Sequence, residues 1–145
     1  MDRKDYTLKW FAILPATFAV VAVAVPVLMV RVPEIGFALQ RGFALVCHQQ
    51  PDRSFFLFGG SVAVCSRCLG IYLGATAGLV LRAWRPTALR WLTIAVSASV
   101  VEWATEIAGL HGNWMWMRFG LGFAVGAAAA MLVLSTWVVT PQAAS

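Results

Sequence analysis

Trp10–Val30 reads WFAILPATFAVVAVAVPVLMV, with no charged residue. A run of that length and character is long enough to cross a bilayer, and few soluble folds can bury it. Pro15 and Pro26 interrupt it and predict bends in a first spanning helix over 10–30. The basic flank of Arg3, Lys4 and Lys9, with the small residues Ala22 and Ala24, also resembles a signal peptide. The apolar run is longer than such leaders carry, which favours a retained helix. The whole chain repeats the message: 61% of its residues are hydrophobic, 12% are charged and the mean hydropathy is +0.79. Those values lie outside the soluble range and predict an all-α integral membrane protein.

At 145 residues the chain has room for one compact bundle and no soluble domain. Further spanning helices are expected over 62–81, 89–109 and 118–139, giving a single domain of about four transmembrane helices. Residues 31–61 are too mixed to span, since Glu34, Gln40 and Arg41 interrupt the apolar residues. That composition suits an interfacial or loop segment. Gly70, Gly74 and Gly78 recur at steps of four, and Gly122 and Gly126 repeat the spacing. Such stripes let neighbouring helices approach closely. The last residues, TPQAAS, read as a short tail.

Eleven Lys and Arg against six Asp and Glu would suggest nucleic acid in a soluble protein. Here the basic residues sit at segment ends, where membrane topology accounts for them, and nucleic acid is set aside. Arg3, Lys4 and Lys9 lie on the same side of a four-helix bundle as Arg82, Arg85 and Arg90. The positive-inside rule makes that side cytoplasmic, together with both termini. The expected location is the bacterial cytoplasmic (inner) membrane, multi-pass. The outer side then holds segment 31–61, the turn at 110–117, both histidines and all three cysteines. Arg31, Arg41 and Arg53 run against that bias. Trp103, Trp114 and Trp116 read as an interfacial belt.

The chemistry concentrates in CHQQPDRSFFLFGGSVAVCSRCLG, Cys47–Gly70. Cys65 and Cys68 have Cys-x-x-Cys spacing, which lets two thiolates converge on one ion, and Cys47 can return to them through a loop. With His48 these residues form a candidate Cys3His site, for which zinc is the favoured metal and copper or iron the lesser choices. His111 is the alternative fourth ligand, because neighbours such as Cys47 and His48 do not easily point at one ion. A second reading is a membrane thiol-disulfide oxidoreductase, with Cys65 and Cys68 as the redox pair and Cys47 as an attacking or resolving thiol. In it Arg67 lowers a thiol pKa. The chain has no second cysteine pair to relay electrons. A third reading is a small accessory subunit of a larger membrane complex or a homo-oligomer, and the bland one is three buried small hydrophobes.

Glu102 and Glu106 share one face of the third helix, where carboxylates need partners or water. Pairing with Arg67 or Arg118 beneath the cysteines is expected, with Arg53, His111 and Asn113 as further supporting polar residues. A metal-ligand, proton or ion role for the two glutamates is the functional alternative.

The stretch CHQQPDRSF followed by CSRCLGIYLG resembles the bacterial and archaeal family of small predicted membrane proteins of unknown function. That family's signature is Cys-His-Gln, Pro-x-Arg-Ser-Phe, then Cys-x-Arg-Cys-x-Gly-x-Tyr-x-Gly. A looser match follows at Asn113 and RFGLG from Arg118, while Glu102 and Glu106 stand where the family pattern has an Asp/Gln pair. The resemblance implies a fold and a site, and no activity.

Overall fold

The computed structural model describes residues 3–81 and 88–138. Arg82 and Arg85, on which the orientation argument partly rests, and the TPQAAS tail lie outside the described residues. Among the described residues the fold is helical, with five α-helices and one minimal hairpin. They are α1 (Arg3–Arg31), α2 (Pro33–Ala44), α3 (Ser66–Leu81), α4 (Ala88–Ile107) and α5 (Met115–Val138). A 3-10 turn at Pro51–Arg53 and strands β1 (Phe56–Leu57) and β2 (Gly60–Ser61) fill the segment between α2 and α3.

Two helices are long and apolar enough to cross a membrane, over Phe11–Arg31 and Met115–Leu134. The other two expected spans are less clear-cut. α3 has 16 residues, about 24 Å at 1.5 Å per residue, and falls short of a hydrocarbon core of about 30 Å. α4 is long enough but carries Arg90, Glu102 and Glu106. The second expected span begins at Val62, whereas α3 begins at Ser66, because Val62, Ala63 and Val64 run on from β2 as extended chain.

Pro26 explains why that extended chain docks where it does. A proline has no N–H, so the carbonyl of Ala22, four residues earlier, loses its helical partner. The Ala63 N–H takes its place, 3.2 Å from the Ala22 oxygen. Ala22, Val25, Val62, Ala63 and Val64 are all fully buried around this junction. α2 is launched by Pro33 at its first position, which suits an N-terminus and stops α1 from running on. It folds back on α1 so tightly that a Cβ on Gly36 would lie 2.6 Å from the Met29 nitrogen.

The hairpin pairs Phe56 with Ser61 and Leu57 with Gly60, leaving Phe58 and Gly59 as a two-residue turn. Both have positive φ, 53° and 82°, the primed geometry that matches strand twist. Glycine adopts it freely and phenylalanine does not.

α3 and α5 are the most intimate pair, and they run parallel. Cβ atoms on Gly70, Gly74 and Gly78 would fall 2.2, 2.0 and 2.4 Å from carbonyl oxygens of Phe119, Phe123 and Ala127. On the opposing helix, Gly122 and Gly126 meet the Arg67 and Ile71 carbonyls at 2.2 and 2.1 Å. The glycine stripes therefore pack against each other inside one chain. α1 lies antiparallel on the other side of α3, with Phe18 against Tyr72. α4 packs on α5 and leaves a gap towards α3. Large apolar side chains such as Phe11, Leu14, Phe18, Trp91, Val101 and Trp116 face outward. A surface of that kind suits lipid and not water.

Candidate functional site

Cys47 follows α2, where its N–H still reaches the Phe43 carbonyl at 2.9 Å. Cys65 ends the extended chain docked on α1, and Cys68 lies in the first turn of α3. These elements bring the three sulfur atoms within 4.8 Å of one another. All three thiols are free; Cys47 is buried, and Cys65 and Cys68 are partly so. The Cys65 N–H donates to the Cys47 sulfur at 3.2 Å. The Cys68 thiol donates to the Cys65 sulfur, and the backbone N–H groups of Cys68 and Arg67 and the Cys47 thiol reinforce it. Together they pull the Cys65 pKa down to about 5, although burial opposes the shift. Cys65 thus caps α3 with a sulfur in the role usually given to a Ser or Asp oxygen.

One expected influence is different in kind. Arg67 acts on Cys65 through its backbone N–H, while its guanidinium turns away to Glu102.

The two histidines stay apart from the sulfurs. His48 is exposed and does not belong to the three-sulfur group. His111 has Nε2 2.8 Å from Thr105 Oγ1 and Nδ1 2.7 Å from the Gly112 carbonyl, and its ring stacks on Trp114 at 4.5 Å. The structure assembles three of the four expected ligands.

Gln49, which composition and spacing do not single out, organises the cysteine loop. It adopts a positive φ of 49°. Its Nε2 donates to the carbonyls of Gln40 at 2.7 Å and Ala63 at 2.9 Å, and its Oε1 accepts from Gln40 Nε2 at 3.1 Å. One side chain thereby ties α2 to the strand that delivers Cys65. The only hint in the sequence is that Gln49 follows the Cys-His pair.

A second polar layer lies beside the thiols. Glu102, 4% exposed, gives one carboxylate oxygen to Arg67 and the other to Arg118 Nε, the latter at 2.9 Å. Arg118, also 4% exposed, reaches on to Glu106, which in turn faces Arg53 Nη2 at 3.3 Å. Asn113 donates to the Asp52 carbonyl and fixes the 3-10 turn that carries Arg53. The expected pairing of arginines with the glutamates is therefore present, with all four side chains plus Arg53 in one network.

A family described as "Predicted membrane protein (DUF2085)" matches residues 47–132, more than half of the chain and all of both layers. An uncharacterized protein of Methanocaldococcus jannaschii is 35% identical over 107 residues, covering 69% of each chain. An uncharacterized protein of Methanothermobacter thermautotrophicus is 30% identical over 95 residues, 62% of this chain and 86% of the relative. No solved structure matches.

Proposed function

The chain belongs to the DUF2085 family of predicted membrane proteins, and from that premise we propose that Cys47, Cys65 and Cys68 hold a borderline-soft divalent metal, zinc foremost. The observation that carries this reading is the convergence of three free sulfurs within 4.8 Å, one brought back by the chain from the end of α2 and two from the start of α3. Thiolate donors select zinc-class ions over magnesium or calcium. The N–H groups aimed at the Cys65 sulfur favour the charged form that a metal needs. The fourth position is open to a donor outside the cluster, since His48 is exposed and His111 is engaged elsewhere.

The protein is multi-pass in this reading. α1, α3, α4 and α5 alternate in direction as four spans would, and the short α3 is shielded by α1 and α5. Positive residues in the first turns of α1 and between α3 and α4 put those ends in the cytoplasm and the thiols on the outer side. The membrane is the cytoplasmic one.

The competing reading is a thiol-disulfide couple, favoured by the low pKa of Cys65 beside Cys68. Metal analysis with free-thiol counting on protein purified under reducing and non-reducing conditions separates the two. One zinc per chain with three thiols and no disulfide, and loss of the zinc on Cys65→Ser while the two remaining thiols stay reduced, support the metal site. A metal-free chain with a Cys65–Cys68 disulfide refutes it.

A further inference from the structure

Next to Cys65 lies a cavity of about 70 Å³ lined by Arg53, Cys65, Ser66, Arg67, Trp103 and Arg118. Its walls offer more donors than the protein uses. Ser66 Oγ is completely buried and has no hydrogen-bond partner, and Arg53 Nε and Arg67 Nε are likewise buried without one. Within the buried layer Glu102 and Glu106 face the three guanidiniums, and the third carboxylate, the exposed Asp52, stands 3.9 Å from Arg53 Nε, beyond hydrogen-bond distance. The Cys65 sulfur is turned to its own set of donors. Buried donors of this kind are costly unless a ligand or water accepts from them.

Arg67 and Trp103 also belong to a second, larger cavity of about 420 Å³. It fills the gap between α3 and α4, and its remaining walls are Ile71, Val96, Ser99, Val100, Gly122 and Val125. Ser99 spends its hydroxyl on the Ala95 carbonyl at 2.9 Å, so this groove presents an apolar wall. Its size lies within the range of small-molecule sites. A polar pocket with unused donors thus lies beside an apolar groove, with the Arg67 and Trp103 side chains lining both.

We propose that the two neighbouring cavities together bind an anionic amphiphile, with its oxyanion head against Ser66, Arg53 and Arg67 and its alkyl chain passing Arg67 and Trp103 into the groove. Guanidinium and hydroxyl donors match a phosphate or carboxylate head, and the valine-lined gap matches a chain. A free oxyanion would leave the groove unused, and a neutral lipid would leave the donors unpaired.

The test uses the full chain in phosphatidylcholine nanodiscs, with radiolabelled dodecyl phosphate and inorganic phosphate as probes. Dodecyl phosphate should bind saturably at one per chain, and inorganic phosphate should compete at least about 100-fold more weakly, since each buried methylene adds several-fold. Ser66→Ala removes a hydroxyl that has no protein partner, and should weaken dodecyl phosphate about tenfold. Val100→Trp, at a half-exposed position in the groove, should weaken dodecyl phosphate and leave inorganic phosphate unchanged. Equal affinity for the two probes would assign the pocket to a free oxyanion and overturn the proposal. Unsaturable uptake that Ser66→Ala leaves unaltered, or no binding, would overturn it equally. Zinc content plays no part in these readouts, so the proposal and the metal site stand or fall separately.

Discussion

Replacing Glu102 by Gln tests whether the polar layer is one network or two surface pairs. Glu102 is 3% exposed at its side chain and serves two arginines, Arg67 and Arg118, of which Arg118 is 4% exposed. Removing one partner of a buried pair costs about 3–5 kcal/mol, because the other charge is left without compensation. Glu102→Gln belongs in that range. Glu106→Gln should cost clearly less, about 1–2 kcal/mol, because Arg118 keeps Glu102 and Arg53 is 37% exposed and can turn to water. The double variant Glu102→Gln with Arg118→Gln should be less damaging than the two single losses added together, by about 1–3 kcal/mol. Reversible unfolding in mixed micelles, read by tryptophan fluorescence and by a steric-trap ligand, gives all four values. Equal losses for the two glutamates, or strict additivity in the cycle, would refute the shared-carboxylate argument.

Other perturbations reach other parts of the molecule. Gly74→Ala should separate α3 from α5 and lower thermal stability sharply, since its Cβ would sit 2.0 Å from the Phe123 oxygen; Gly42→Ala, with nothing within 4 Å, should not. Gln49→Ala should leave the helices intact by circular dichroism yet weaken zinc binding about 10–100-fold, the usual effect of losing a ligand-positioning residue. His48→Ala should keep one zinc per chain, and loss of zinc from that variant would restore His48 as the fourth ligand. In metal-free protein, alkylation of Cys65 should be nearly independent of pH between 6 and 8 and fall off only towards its pKa of about 5. A labelling rate still climbing at pH 8 would contradict the depressed value.

The helices and the convergence of the cysteines were legible because periodic apolarity and Cys-x-x-Cys spacing are local signals. The glycine stripes were equally legible as close-contact surfaces, although not which helices they join. Val62–Val64 misled because a short buried non-helical segment and the start of a buried helix have the same composition. Its true conformation depends on Pro26, 37 residues away from Ala63, leaving a carbonyl open. The role of Gln49 was hidden for a similar reason: an amide reveals a bridge only once both carbonyls it joins are in place. His48 was a natural choice by residue type, but adjacent side chains on an extended chain diverge, and Cys47 already points inward.

The two layers also differ in when they can exist. Every cysteine lies between Cys47 and Cys68, so once α1, α2 and the first turn of α3 have left the ribosome the thiol cluster has all its parts. The arginine pocket cannot form until Arg118 arrives at the head of α5, and until then Glu102 has Arg67 alone to offset it. A nascent chain would therefore be competent for metal loading before its charged layer is complete. The arrival of α5 acts as the closing stroke, burying Arg118 and bringing the glycine faces of α3 and α5 together.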